Sequence, residues 1–361
     1  MKKIVFFISL TLGAGALTIA QDKFFVHTST GETISVTGTF IDHPDLNNNP
    51  NANFIVSHCW DCSGTGVDNN KVSGIYYSNT DNKWMIFNED GSDMEAGRSF
   101  FVYIPLDGYS FRTTNSGNST YLYLDNALLN GQPEKSAVLT NLYLSQWDNR
   151  NYGFWYDTDV NQWVVYNEGL ANIEANASYI VAMEGDPGIE KYRHSATSEN
   201  SYSDCTELNH PILNGNPNAK MVFAHNWGVS GDVSNIILDK VFTVFYNDAT
   251  ASWRLCTEDY TDIPPGTMFD FLISGNNVNV NDLTHAGKVT VFPNPVTDNV
   301  NFNSQNIIHE ITVYDMSGTE MLNAQQSSEN VQMNISVLPV GVYIAKIKTS
   351  KGIETLKLIK K

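Results

Sequence analysis

Positive charge is scarce in this chain. Its 361 residues carry 21 Lys and Arg against 39 Asp and Glu, a net charge of −18. The imbalance lies in residues 21–286, where 12 basic residues stand against 33 acidic ones. A surface of that sign repels phosphate backbones and anionic lipid headgroups, which excludes nucleic acid and membrane surfaces as partners. Long apolar runs are also missing. Beyond residue 20 nothing approaches the ~18 residues that would cross a bilayer as a helix, so no transmembrane segment is expected in the mature chain. No stretch keeps the apolar period of an amphipathic helix, which argues against helical bundles and α/β folds. Nucleophile elbow, His-Glu-x-x-His helix and phosphate loop are lacking too. Catalysis, as by a secreted hydrolase, is therefore the least supported class of function.

Cysteine is limited to four residues. Cys59-x-x-Cys62 has no second Cys-x-x-Cys to complete a zinc ribbon and no thioredoxin-like pattern around it. In an exported protein such cysteines are oxidised, and the expected pairs are Cys59–Cys62 and Cys205–Cys256. Export is read from residues 1–20, where Lys2 and Lys3 precede an apolar run and small residues ending at Ala20, as in a secretory signal peptide.

What the chain does have is short runs of aromatic and β-branched residues broken by Asn, Asp and Gly. This is an all-β pattern. It is also repeated. LNHPILNGNPNAKMVFAHNW, with His210 and Trp227, copies IDHPDLNNNPNANFIVSHCW, with His43 and Trp60, without insertion or deletion. LDNALLNGQPEKSAVLTNLY is a weaker copy between them. The repeats are expected at 22–106, 107–186 and 190–275, each a small β-sandwich or barrel, followed by a linker at 276–287 and a distinct module at 288–361. Each repeat has a tryptophan strand, WMIFNED, WVVYNEG or WRLCTED, which places Glu89, Glu168 and Glu258 at one position. Trp84, Trp163 and Trp253 are expected to anchor the core. Gly97, Asn176 and Gly266 share a turn position that calls for positive φ.

Three repeat positions hold six of the eight histidines: His27/His194, His43/His210 and His58/His225. The divergent repeat loses all three together, with Ser110, Asn126 and Asn141 in their places. Joint loss suggests either one three-histidine site for zinc or another divalent metal, with Glu89 or Glu258 as a fourth ligand, or a network of loop hydrogen bonds in which Ser and Asn substitute. A calcium site is suggested only by Asp157-x-Asp159-x-Asn161 with Glu168, a poor EF-hand because Gln162 replaces the turn glycine. Trp60 and Trp227 follow the last histidine of their repeats and lie beside variable loops. They are the candidate ligand-binding aromatics, for a glycan or a protein surface.

The tail resembles the type A C-terminal sorting domain of the type IX secretion system. The matching residues are Phe292-Pro293-Asn294-Pro295, Val313-Tyr314-Asp315, Gly318, Leu338-Pro339-Val340-Gly341-Val342-Tyr343 and Lys357-Leu358-Ile359-Lys360-Lys361. That resemblance implies an immunoglobulin-like β-sandwich recognised by the outer-membrane translocon, and a cargo released or held at the outer cell surface. The repeats resemble a family of secreted repeats of unknown function. Together these readings predict a secreted or surface binding or adhesion protein, with a metal-binding surface protein as the alternative.

Overall fold

The structure is a computed structural model that describes residues 23–274 and 289–361, apart from 118, 231, 235, 316–318, 350 and 351. The expected signal peptide (1–20) and linker (276–287) lie outside the described residues. Every regular element among the described residues is a strand. Two compact units form, Met1–Gly275 and Asn276–Lys361.

Repeat 1 supplies β1 (Phe24–Thr28), β2 (Ile34–Ser35), β3 (Gly38–Phe40), β4 (Ile55–Cys59), β5 (Ser73–Ser78), β6 (Lys83–Asn88) and β7 (Ser99–Tyr103). Repeat 2 supplies β8 (Ser110–Thr114), β9 (Tyr121–Leu124), β10 (Ala137–Leu142), β11 (Tyr152–Asp157), β12 (Gln162–Asn167) and β13 (Ser178–Met183). Repeat 3 supplies β14 (Ile189–Ser195), β15 (Ser201–Tyr202), β16 (Cys205–Glu207), β17 (Met221–Val229), β18 (Asp232–Val233), β19 (Phe242–Asn247), β20 (Ser252–Thr257) and β21 (Met268–Ser274).

No repeat keeps its strands to itself. One seven-stranded sheet runs β1-β7-β4 from repeat 1 into β19-β20-β16-β15 from repeat 3. A second runs β2-β3-β6-β5 from repeat 1 into β10-β13-β8 from repeat 2. The third joins β14-β21-β17 of repeat 3, with β18 beside β17, to β11-β12-β9 of repeat 2. Each repeat thus divides its strands between its two neighbours, and the exchange closes in a ring. The three joins are the parallel pairs β4/β19, β5/β10 and β11/β17, whereas every neighbouring pair within a repeat is antiparallel. The all-β, three-repeat reading holds, with the addition that the repeats share their sheets.

Burial explains the strand sequences. β7 and β13 are buried along their whole length, so both faces are apolar instead of alternating. Buried side chains of all three repeats form one core. The central strands β4, β10 and β17 meet where Val56 N–H donates to Thr140 Oγ1 (2.8 Å) and Phe223 N–H donates to Ser57 Oγ (3.1 Å). Trp84, Trp163 and Trp253 are at most 2 % exposed. Each indole N–H donates to a backbone carbonyl of its repeat's proline turn, Asn49, Gln132 or Asn216, at 2.9, 3.0 and 2.8 Å. Gly97, Asn176 and Gly266 have φ of 94°, 69° and 96°.

The second unit contains β22 (Thr290–Phe292), β23 (Asn299–Tyr314), β24 (Glu320–Asn334), β25 (Gly341–Thr349) and β26 (Gly352–Lys360). It has its own apolar core, including Val300, Phe302, Ile311, Val313 and Leu358. Asn294, from the Phe-Pro-Asn-Pro motif, grips the last strand. Its Nδ2 donates to Lys357 O (2.7 Å), and its Oδ1 accepts from Ile359 N–H (2.8 Å).

Candidate binding site at the repeat junctions

At each parallel join a polar residue of the central strand faces a small residue of the neighbouring repeat. The registers are His58 with Thr243, Asn141 with Gly74 and His225 with Gly153. The repeated glutamate lies over the small residue. A Cβ on Gly74 would collide with Glu89 Oε1, and one on Gly153 would collide with Glu168 and Tyr166. Each glutamate accepts a backbone N–H from a loop of the adjoining repeat: Asp148 to Glu89 (3.1 Å), Leu238 to Glu168 (3.2 Å) and Asn69 to Glu258 (3.1 Å). Its other oxygen serves the histidine where there is one. Glu258 Oε1 is 3.3 Å from His58 Nδ1, and Glu168 Oε1 contacts His225 Nδ1 and accepts from Tyr166 Oη (2.9 Å). The three glutamates are therefore latches between repeats. Glu89, which has no histidine partner, is pushed up to about 7 by burial, and Asp148 nearby adds to the shift although its N–H opposes it.

The histidines of one repeat do not converge. His27 and His194 are buried, with Nε2 at 2.9 Å from Thr39 Oγ1 and 2.7 Å from Thr206 Oγ1. Burial pulls both down to about 4. The strand registers align Thr39 and Thr206 with Leu122 of repeat 2, so histidine and threonine are lost as a pair. His43 and His210 use Nδ1 to accept the N–H of Asp45 and Ile212 (3.3 Å each), and Asn126 Oδ1 accepts the N–H of Leu128 in the same way (2.9 Å). Asn141 Nδ2 donates to Asp148 O (3.0 Å). The joint loss in repeat 2 thus resolves into three local exchanges. The expected fourth ligand is corrected as well: His58 meets Glu258 and His225 meets Glu168, so each glutamate comes from a neighbouring repeat. Among the described residues, the one group of three potential metal-ligating side chains in reach of one another is Asp204, Cys205 and Cys256. Cys205 and Cys256 are joined as a disulfide, as are Cys59 and Cys62, in the pairing expected from sequence.

The aromatic residue two places after the histidine position closes each junction. Trp60 packs edge-on against Phe245 (5.7 Å between centroids), Trp227 against Trp155 (6.4 Å) and Tyr143 against Tyr76 (6.3 Å). At the Trp60 junction the packing leaves an open cleft of about 280 Å³. Trp60, Phe245 and Tyr260 line it together with the Cys205–Cys256 disulfide, Thr243 and the carboxylates Asp68, Asp204 and Glu258. Tyr260, 68 % exposed, donates its hydroxyl to Asp68 (2.7 Å). Trp60 was legible from sequence. Phe245, Tyr260 and Asp68 were not, because they come from another repeat or another loop. The only local sign was the aromatic run Phe245-Tyr246 opposite a repeated tryptophan.

A second cavity, about 130 Å³, lies beside the central strands. Ser73, Asn141, Tyr152, Glu168 and His225 are in its wall, and the buried Nε2 of His225 has no partner among the described residues. Ser73 Oγ is 2.8 Å from His58 Nε2, completing a hydroxyl–imidazole–carboxylate chain through Glu258.

Residues 16–104, 74–152 and 153–273 match the family described as "Domain of unknown function (DUF7452)", which together is well over half of the chain. The chain belongs to this family. Residues 290–361 match the secretion system C-terminal sorting domain. This DUF7452 protein thus carries the sorting tail of a type IX secretion-system substrate. Among solved structures it is similar to PorZ, described as an essential bacterial surface component of the type IX secretion system of Porphyromonas gingivalis, at 15% identity and a TM-score of 0.18. That match covers 93% of this chain and 51% of PorZ, so the chain spans about half of PorZ's length. The four N-terminal immunoglobulin domains of Dscam1 isoform 4.44 are similar at 11% identity and a TM-score of 0.16, covering 91% of this chain and 100% of theirs. At those scores neither likeness defines a common fold. No curated protein matches. Among the described residues no helix is long and apolar enough to cross a membrane.

Proposed function

We propose that the three-repeat unit is an extracellular binding module, exported through the signal at 1–20 and displayed by its sorting tail for adhesion to a glycan or protein. The observation that carries this reading is the cleft walled by Trp60, Phe245 and Tyr260. It is open to solvent, mostly apolar, and rimmed by carboxylates. Aromatic faces stack on the apolar faces of ligands, while nearby polar groups fix orientation. The other two junctions keep the glutamate latch but bring different aromatics, Trp227 with Trp155 and Tyr143 with Tyr76.

A glycan array and a pull-down with the mature chain test the reading. Retention of a ligand is expected, with loss on Trp60→Ala or Tyr260→Asn. Asparagine suits the second site because Tyr260 has φ of 62°. Equal retention by wild type and both variants would remove the cleft from the function.

Hydrolysis is the second reading, and one observation favours it: the Ser73–His58–Glu258 chain, in the order an activated hydroxyl requires. The backbone N–H of Asn69, close to that chain, is already spent on Glu258, so it offers no oxyanion donor. Labelling of Ser73 by a fluorophosphonate would establish an activated serine, and its absence in the folded protein would end this reading.

A further inference from the structure

Resting on the binding-module reading, we propose that the Trp60 cleft takes a primary alkylammonium group, presented as a lysine side chain of a protein partner. The cleft's charge is of one sign. Asp68, Asp204 and Glu258 contribute carboxylates, and none of its lining residues is Lys or Arg. Glu258 is committed to His58 and Asn69 inside the junction, so Asp68 and Asp204 are the groups left to meet a cation. Asp68 is exposed and Asp204 half-buried. The hydroxyl of Tyr260 is held above its usual range, chiefly by its hydrogen bond to Asp68 and that residue's charge, with Glu258 and Asp204 adding to the effect.

The walls suit the same ligand. A cation over a Trp or Tyr face is attracted by the ring's quadrupole, and the methylene stem of a lysine covers apolar surface while its head stays polar. Trp60 and Phe245 meet at 74°, giving two faces at an angle, and Tyr260 stands exposed beside them. Thr243, in the same wall, is an independent feature. Thr243 is 5 % exposed, and its buried Oγ1 has no hydrogen-bond partner among the described residues. The equivalent positions at the other joins are Gly74 and Gly153. A buried hydroxyl without a partner is costly, and an ammonium N–H would supply the missing donor. A neutral sugar brings no charge to balance the acidic rim, and an anionic one would be repelled by it.

Titration of the full mature chain with Nα-acetyl-lysine methylamide tests the proposal, followed by the indole N–H resonance of Trp60 as assigned with Trp60→Phe. Saturable shifts are expected. Binding should weaken about tenfold or more for the Nε-acetylated analogue, and likewise for Asp68→Asn and Tyr260→Asn, which alter exposed residues and leave the core intact. It should also weaken as salt rises, because an exposed acidic rim is screened. Equal binding of the Nε-acetylated analogue would overturn the cation assignment. Choline binding as tightly as the lysine derivative would overturn the commitment to a primary amine. Binding of methyl glucoside with no response to lysine would overturn the proposal yet leave the binding module standing. No response to any probe, combined with unchanged ligand retention by the cleft variants, would overturn both.

Discussion

Removing one glutamate latch should loosen two repeats at once. Glu168 is 1 % exposed and accepts from Tyr166 Oη at 2.9 Å and from Leu238 N at 3.2 Å, besides its contact with His225 Nδ1. Glu168→Ala leaves the Leu238 N–H without its acceptor and Tyr166 Oη with only His225 Nδ1, 3.3 Å away, and each orphaned buried group costs about 1–3 kcal/mol. Release of a desolvated carboxylate offsets part of that. Breaking a buried pair by removing one partner typically costs about 3–5 kcal/mol in net. For a unit of this size each kcal/mol lowers Tm by roughly 2–4 °C, so a fall of about 10 °C is expected by calorimetry. Glu168→Gln keeps the shape but turns one acceptor into a donor facing donors, and should cost about 1–2 kcal/mol. Hydrogen exchange gives the decisive readout. Protection should drop in both β11 of repeat 2 and β17 of repeat 3, the two strands the latch joins. A Tm change under about 3 °C, or faster exchange confined to repeat 2, would refute the latch.

Residues 22–106 alone should show neither a cooperative thermal transition nor dispersed amide resonances, because β4 and β5 would lose their neighbours β19 and β10. A folded single repeat would disprove the shared-sheet account. His27 and His194, held near 4 when folded, favour the fold above about pH 6.5, and that contribution fades as pH falls toward 4. Each should therefore cost roughly 2 kcal/mol at pH 5, and His194→Gln should flatten the acid limb of a stability–pH curve. Glu89, held near 7, acts in the opposite sense, stabilising below about 4.5 and losing that effect as pH rises through 7. Glu89→Gln should remove this alkaline loss, as read from denaturant midpoints across pH 5–8. Reducing Cys205–Cys256, which closes a separation of 51 residues, should lower stability by about 4 kcal/mol if chain entropy dominates. Urea melts with and without reductant measure it.

Local chemistry made much of the molecule legible. Alternating aromatic and β-branched runs specify strands, self-similarity specifies three repeats, and a turn that needs positive φ specifies glycine or asparagine at residues 97, 176 and 266. Both cysteine pairs also stay within one repeat: Cys59 and Cys62 are three residues apart, and Cys205 and Cys256 both belong to repeat 3. The sorting motifs in the tail are equally local, since Asn294 and the closing lysine-rich strand each carry their own signature.

The histidines show where such reading stops. Three positions lost together look like one site, yet the structure gives each its own partner, Thr39, the N–H of Asp45 and Glu258 in repeat 1. Glu89, Glu168 and Glu258 were visible as a coincidence of position, but nothing in a repeat shows that its glutamate serves the next repeat. Trp60 stood out, whereas the Phe245 and Tyr260 that make it part of a cleft lie some 185 to 200 residues away. Sequence by itself determined the strands, the repeats and the export address, because those depend on residues close together in the chain. The ring of shared sheets, the latches and the cleft were decided only by tertiary structure. Their contacts form between repeats, and strand periodicity is the same whether a strand pairs inside its own repeat or with the next.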